Sequence, residues 1–296
     1  MKLSRVVASL AVLIAIFWHT PPVIAASYFI SGFGAGTVCS QAAPCLITEA
    51  VTEAASSAAP LEIACADGSD NGGVTITTRV TIDCVGTAGG IAGDVTLGGG
   101  ALTLKNTTMS FNGNALTLQH GILIVENVHI TAAFQNAILA QPSLASTLIV
   151  KNCTIEGGGS VLLKPAPGGS LSARFDHVTI SGGSGGGIKI DTTNGPVTVD
   201  ITDSEISSNA GNGINAVGGA GGQAIVSIKN SVIAKNGTAG VQANGAAAGV
   251  LVQMTLFDQN ASGATSVVGA GHISTYGNNS IVGSAGSGFT GTASLQ

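Results

Sequence analysis

Charge is scarce in this chain. Of 296 residues only 8% are Asp, Glu, Lys or Arg, ten basic against fifteen acidic, for a formal net charge of −5. With no basic patch, nucleic acid and anionic lipid are poor partners. Aromatic residues make up 4%, and the single Trp, Trp18, lies near the N-terminus. Long apolar runs are missing after residue 26, so no transmembrane helix is expected there. The 44 glycines follow no triplet period, which excludes collagen. The 45% apolar content and low net charge argue against disorder.

What is present is a repeat. Ile201, Asp203, Ile206 and Asn209 recur as Ile228, Asn230, Ile233 and Asn236, a period of 27 residues. Such a period marks a coil that stacks on copies of itself. The register mark is an inward apolar residue two positions before a turn residue. The pairs are Ile63/Cys65, Ile82/Cys84, Leu104/Asn106, Val125/Asn127, Val150/Asn152, Phe175/His177, Ile201/Asp203, Ile228/Asn230, Val252/Met254 and Thr275/Gly277, spaced 19 to 27 residues apart. Three residues past the turn an apolar residue returns, at Met109, Ile130, Ile155, Ile180, Ile206, Ile233 and Phe257. A second apolar segment follows, such as Val161 to Leu163 or Gly187 to Ile190. Two or three short strands per repeat suit a parallel β-helix. They do not suit a βαβ unit of about 30 residues, a leucine-rich repeat or a propeller blade.

The expected architecture is all-β: a right-handed parallel β-helix of about ten coils over residues 61–284, with a short N-terminal capping helix. At about 4.8 Å per coil the rod is on the order of 45–50 Å long. Asn at the turn marks tolerates left-handed backbone. Asn106, Asn127, Asn152 and Asn230 are expected to ladder their amides from coil to coil. The Gly-rich turns supply tight corners and lack the Lys-Ser/Thr of a phosphate loop.

Residues 1–26 read as a signal peptide. Lys2 and Arg5 precede the apolar run Val6 to Trp18, and Val23-Ile-Ala-Ala26 ends it with small residues. A retained anchor is the rival, but the run is short for a span. Cleavage removes the two basic residues and takes the formal charge to −7. The mature chain is expected to be secreted or periplasmic and not membrane-spanning. Residues 27–60 form an N-terminal segment. In it Cys39 and Cys45 close a small loop as a disulfide, zinc being the weaker reading without a nearby His. Ile47, Ala50, Val51, Ala54 and Ala58 then fall at helical spacing, a helix suited to cover the open end of the first coil. Cys65 and Cys84 stand at equivalent points of successive coils, within reach of a second disulfide. Cys153 replaces Val128 and Val178 of neighbouring repeats and reads as a buried small apolar residue. Residues 285–296 read as a frayed tail.

The whole mature chain resembles exported right-handed parallel β-helix repeat proteins of bacteria, an uncharacterised family with the fold of the pectate-lyase-like superfamily. The residues that carry the likeness are Ser31-Gly-Phe-Gly34, Cys39-x5-Cys45, Val80-Thr-Ile-Asp-Cys84, the coil repeats and Ser274-Thr-Tyr-Gly-Asn-Asn279. The resemblance implies the fold and assigns no activity. Enzymes with this fold generally cleave polysaccharides. The hydrolase elements Asn-Thr-Asp, Asp-Asp, Gly-His-Gly and Arg-Ile-Lys are absent here. Arg174-Phe-Asp176-His177 is the nearest echo of a lyase segment.

Aligned coils place Arg174 over Asp200 and His177 over Asp203, with Lys189 and Asp191 on the second segment of the same coil. Together with Glu205 they form one expected charged patch and the candidate ligand-binding residues. The plainer reading is cross-strand ion pairing, Arg174 with Asp200 in particular. A glycan or calcium contact site comes second and catalysis last. No cofactor is expected. Calcium is the one ion the patch would attract, and outward carboxylates would supply only part of its six to eight oxygens. Thr75-x-Thr77 suggests an ice-binding array, discounted because it does not recur at one rung. The expectation is a non-catalytic exported module with a surface binding or structural role, its partner a glycan or cell-surface component. The alternative is a lyase or hydrolase acting on acidic glycans.

Overall fold

A computed structural model describes residues 27–56, 61–67, 73–85, 90–110, 112–131, 135–284 and 288–293. The signal peptide and Ala58 fall outside these residues. The described chain is a parallel β-solenoid with three faces. Sheet 1 has twelve strands, and sheets 2 and 3 have nine each. Each turn of the chain visits sheet 1, then 2, then 3. Among the described residues no helix is long and apolar enough to cross a membrane.

The apolar marks stack as the spacing predicts. Ile63, Ile82, Leu104 and Val125 are register partners down sheet 1. Val150, Phe175, Ile201, Ile228, Val252 and Thr275 continue the column. Met109, Ile130, Ile155, Ile180, Ile206, Ile233 and Phe257 form the matching column of sheet 2. Strands alternate buried and outward residues, as in Val197–Thr202, because successive side chains point to opposite faces. The core is mostly Ile, Leu, Val and Ala, with Phe175 and Phe257 wholly buried. Each large apolar side chain removed from water contributes about 1.5–3 kcal/mol.

The ten marks do not make ten full coils. Eight turns, from the strand Arg79–Asp83 to the strand Gly263–Val268, carry a strand on all three sheets. Among the described residues the adjoining turns, which begin at Leu61–Cys65 and His272–Thr275, carry two.

The capping helix is Ile47–Ser56, burying Ile47, Ala50, Val51 and Ala54. Glu49 caps its start by accepting a hydrogen bond from the Leu46 amide at 3.1 Å. The helix packs on the strands Ser27–Ile30 and Val74–Ile76, which begin sheets 1 and 3. Cys39–Cys45 and Cys65–Cys84 are both disulfides, with Cα separations of 4.6 and 4.7 Å. Cys153 is buried and free, and burial pushes its thiol pKa up. Phe289 stacks edge-on against Phe257 at 6.4 Å, and Gly291–Thr292 adds a last strand beside Ser274 and Thr275.

The turn marks from Asn106 to Met254 adopt left-handed backbone: Asn106, Asn127, Asn152, His177, Asp203, Asn230 and Met254 have φ between 46° and 55°, whereas Cys65 and Cys84 do not share it. Their amide ladder is only partial. Asn127 donates to Asn106 at 3.1 Å and Asn106 to Asp83 at 2.7 Å. Asn230 donates to Asp203. Among the described residues the Asn152 side chain has no hydrogen-bond partner, so this outer ladder stops at Asn127. A complete ladder lies inside instead. Buried Asn209, Asn236 and Asn260 pass Nδ2-to-Oδ1 hydrogen bonds of 3.0 and 2.9 Å up the stack. Each Nδ2 also donates to a carbonyl, of Ile180, Ile206 and Ile233 in turn.

Candidate functional site

The expected charged patch divides into two places. Arg174 and Asp176 point outward from the strand Ser170–Asp176. Arg174 does sit over Asp200 in register. Its guanidinium turns instead to Asp176 on its own strand, Nη2 to Oδ2 3.1 Å. The i,i+2 carboxylate is on the same face of the strand and closes the pair. The expected Arg174–Asp200 pairing is thereby corrected, and Asp200 remains an exposed carboxylate. The Arg174 side chain is 58% exposed, so Arg174→Ala is expected to lower Tm by at most about 3 °C in a thermal melt.

Asp176 also bonds His177, Oδ1 to Nδ1 2.7 Å. The His177 hydrogen bond, against partial burial and aided by the Arg174 charge, holds the Asp176 carboxyl below its ordinary range. His177 and Asp203 occupy successive turn marks. Asp176, His177 and Asp203 each bring one ligating atom within 4.8 Å of the others. A hollow of about 410 Å³ opens beside them, lined by His177, Asp203, Glu205 and Asn230 among others.

Lys189 and Asp191 belong elsewhere. Their strand, Gly186–Asp191, is on sheet 3. Lys189 faces outward, between Leu162 and Asn215 in register. Asp191 is buried, accepts from the Thr193 amide at 3.0 Å and pairs with Lys164 at 3.1 Å. Burial works to raise its pKa, but the Thr193 hydrogen bonds and Lys164 bring it below the ordinary value.

Lys164 leads to a site the sequence did not reveal. A groove of about 560 Å³ runs past the ends of the sheet 3 strands. One turn supplies Thr117, Gln119 and His120, the next Gln141 and Ser143. Then come Lys164 to Pro167, and Asn194 from the turn after. These turns are held in register by backbone bonds, Ser143 to Gln119 at 2.9 Å and Ala166 to Pro142 at 3.0 Å. Among the described residues the polar lining is amide, hydroxyl, imidazole and ammonium, with no carboxylate. The available signal was a column: the residues just past successive sheet 3 strands are Gln119, Gln141 and Lys164.

Two further columns escaped the sequence reading. The residue before each turn mark runs Asp83, Lys105, Glu126, Lys151, Asp176 down sheet 1. The signs alternate, and Lys105 reaches Glu126 at 3.9 Å. Opposite charges on adjacent strands favour this register. Thr75, Thr96 and Thr117 do share one rung position, contrary to the expectation that the Thr pattern does not recur. The column is one residue wide and ends at Leu139, too small for an ordered face.

Calcium does not fit the corner. Among the three clustered side chains only the Asp176 and Asp203 carboxylates offer oxygen. An imidazole replaces what would be a hard oxygen donor, and six to eight oxygens are not at hand.

No protein-family model and no curated protein matches the sequence. Among solved structures, the crystal structure of pectate lyase Pel9A is similar, with a TM-score of 0.61 and 15% identity. The match covers 91% of this chain and 78% of that one. At such identity the likeness is one of fold. The stacked sheets and this structural neighbour together make the chain a parallel β-solenoid with the pectate lyase fold.

Proposed function

We propose that the chain is an exported, non-catalytic carbohydrate-binding β-helix. The observation that carries this reading is the groove at the sheet 3 edge. It crosses four successive turns, a length of about 14 Å at 4.8 Å per turn, enough for a short oligosaccharide. Gln119, Gln141 and Asn194 offer both donors and acceptors, which suits paired hydroxyls. Lys164 is neutralised by Asp191, and the chain as a whole is acidic. Neutral glycans therefore suit it better than polyanions. Among the described residues lining the groove none is a carboxylate, and the nearby Asp191 is engaged by Lys164, which favours binding over acid–base cleavage. Two disulfides support export, since such bonds persist in oxidising compartments. The signal-peptide pattern of residues 1–26 supports it too.

The likeness to a pectate lyase favours a second reading, an enzyme acting on glycans. A glycan array with residues 27–296 and the double variant Gln119→Ala/Gln141→Ala tests the first. Binding of a neutral oligosaccharide is expected, weakened at least about tenfold by the double variant, since each lost hydrogen bond contributes about 0.5–1.5 kcal/mol. Binding unaffected by the variant, or no glycan bound at all, would contradict the groove assignment.

A further inference from the structure

We propose that Asp176, His177 and Asp203 form a surface site for a divalent first-row transition ion of the zinc, nickel or copper class. The corner is organised for it by the solenoid itself. His177 and Asp203 take the turn-mark position that Asn106, Asn127, Asn152 and Asn230 take on other rungs, with the same left-handed backbone. Sheet pairing on either side fixes these turns: the His177 amide donates to the Thr202 carbonyl and the Asp203 amide to the Lys229 carbonyl, both at 3.2 Å. Two side chains of ligating type thus stand one rung apart, about 4.8 Å.

The three ligating atoms already converge within 4.8 Å. Zinc-class ions bind His nitrogen and carboxylate oxygen at about 2.0–2.2 Å, so small side-chain rotations bring all three into reach. The Asp176–His177 contact of 2.7 Å is shorter than the roughly 3 Å or more between two ligand atoms on one such ion, so the pair opens slightly to admit it. The metal would take the place of the shared proton. Outer hydrogen bonds orient the carboxylates, Arg174 on Asp176 and Asn230 on Asp203, as partners outside the ligand set do in metal sites. The 410 Å³ hollow leaves room for water as further ligand, with Glu205 on its wall. Two carboxylates and one guanidinium leave the corner with one net negative charge toward the ion. Donor softness sets the class: imidazole with carboxylate suits zinc, nickel or copper, not calcium.

The test is calorimetric titration of the tag-free mature protein with zinc chloride, then with calcium chloride. His177→Asn and Asp203→Asn are the variants, since Asn is the residue the fold uses at this rung elsewhere. One zinc per chain is expected, at least about tenfold weaker in each variant, while the metal-free Tm stays within about 2 °C of the parent. Cobalt substitution is expected to give visible absorption that His177→Asn abolishes. Zinc binding equal in parent and variants, absence of saturable one-site binding, or calcium binding tighter than zinc would overturn the proposal.

Discussion

Asn236→Ala is expected to destabilise the solenoid by about 3 kcal/mol, from a buried-polar penalty of about 1–3 kcal/mol per group left unpaired. The Asn236 Oδ1 accepts from both the amide and the Nδ2 of Asn209, at 3.3 and 3.0 Å. Its Nδ2 donates to the Ile206 carbonyl and to Asn260 at 3.1 and 2.9 Å. All three Asn residues are at most 2% exposed, so water cannot easily substitute. For a chain of this size the loss corresponds to a fall in Tm of about 6–10 °C. Lys229→Ala, on an exposed neighbouring position, should leave Tm nearly unchanged. Thermal melts of both variants check this, and equal shifts would mean the inner ladder does not hold the turns together.

A pair of glycine substitutions should separate just as clearly. A Cβ at Gly213 would meet the Gly240 carbonyl oxygen at 2.7 Å, Asn236 Nδ2 at 2.8 Å and Ile233 Cγ2 at 2.9 Å. Two of those partners are rungs of the next turn, and the third is in the inner ladder. The stack would have to open to admit one methyl group. Overpacking of this kind costs about 1–3 kcal/mol, and displacing the Asn236 amide adds a buried-polar penalty of about 1–3 kcal/mol. Gly249 lies in a strand of the same solenoid, yet a Cβ there meets nothing within 4 Å. Gly249→Ala is expected to be neutral or slightly stabilising, because Ala loses less backbone freedom on folding. Chemical denaturation of both variants tests the contrast. Equal midpoints would mean that close stacking is not why glycine stands at position 213.

The stacking was legible because burial imposes a strict period on the sequence. Ile201 and Ile228 had to point inward on successive turns, and the residues between them had to turn three corners. The eight complete turns were harder to count, since the end turns keep the mark and lose a strand. Asn209 and Asn236 were visible as a recurring pair, but periodicity does not say whether an Asn faces in or out. An outward ladder through Asn152 therefore reads as well as an inward one, whereas in the structure the outer ladder stops at Asn127. The Arg174–Asp176–His177–Asp203 corner was legible because it depends on one strand and the rung beside it. Lys189 and Asp191 stand on another face, sheet 3, and a sequence read coil by coil does not show which face each segment occupies. The groove was hidden for the same reason. Gln119, Gln141 and Lys164 are ordinary residues about one turn apart, and only the sheet 3 register lines them up.

The most direct test of the account is product analysis on the glycan bound most strongly by residues 27–296. The oligosaccharide is incubated with the protein at saturating concentration and then recovered for mass spectrometry. The account predicts an intact oligosaccharide, with binding weakened by Gln119→Ala/Gln141→Ala and unchanged in His177→Asn. Cleaved or unsaturated products that depend on the protein would contradict it and make the chain an enzyme. Binding lost in His177→Asn but kept in the groove variant would move the glycan site to the corner.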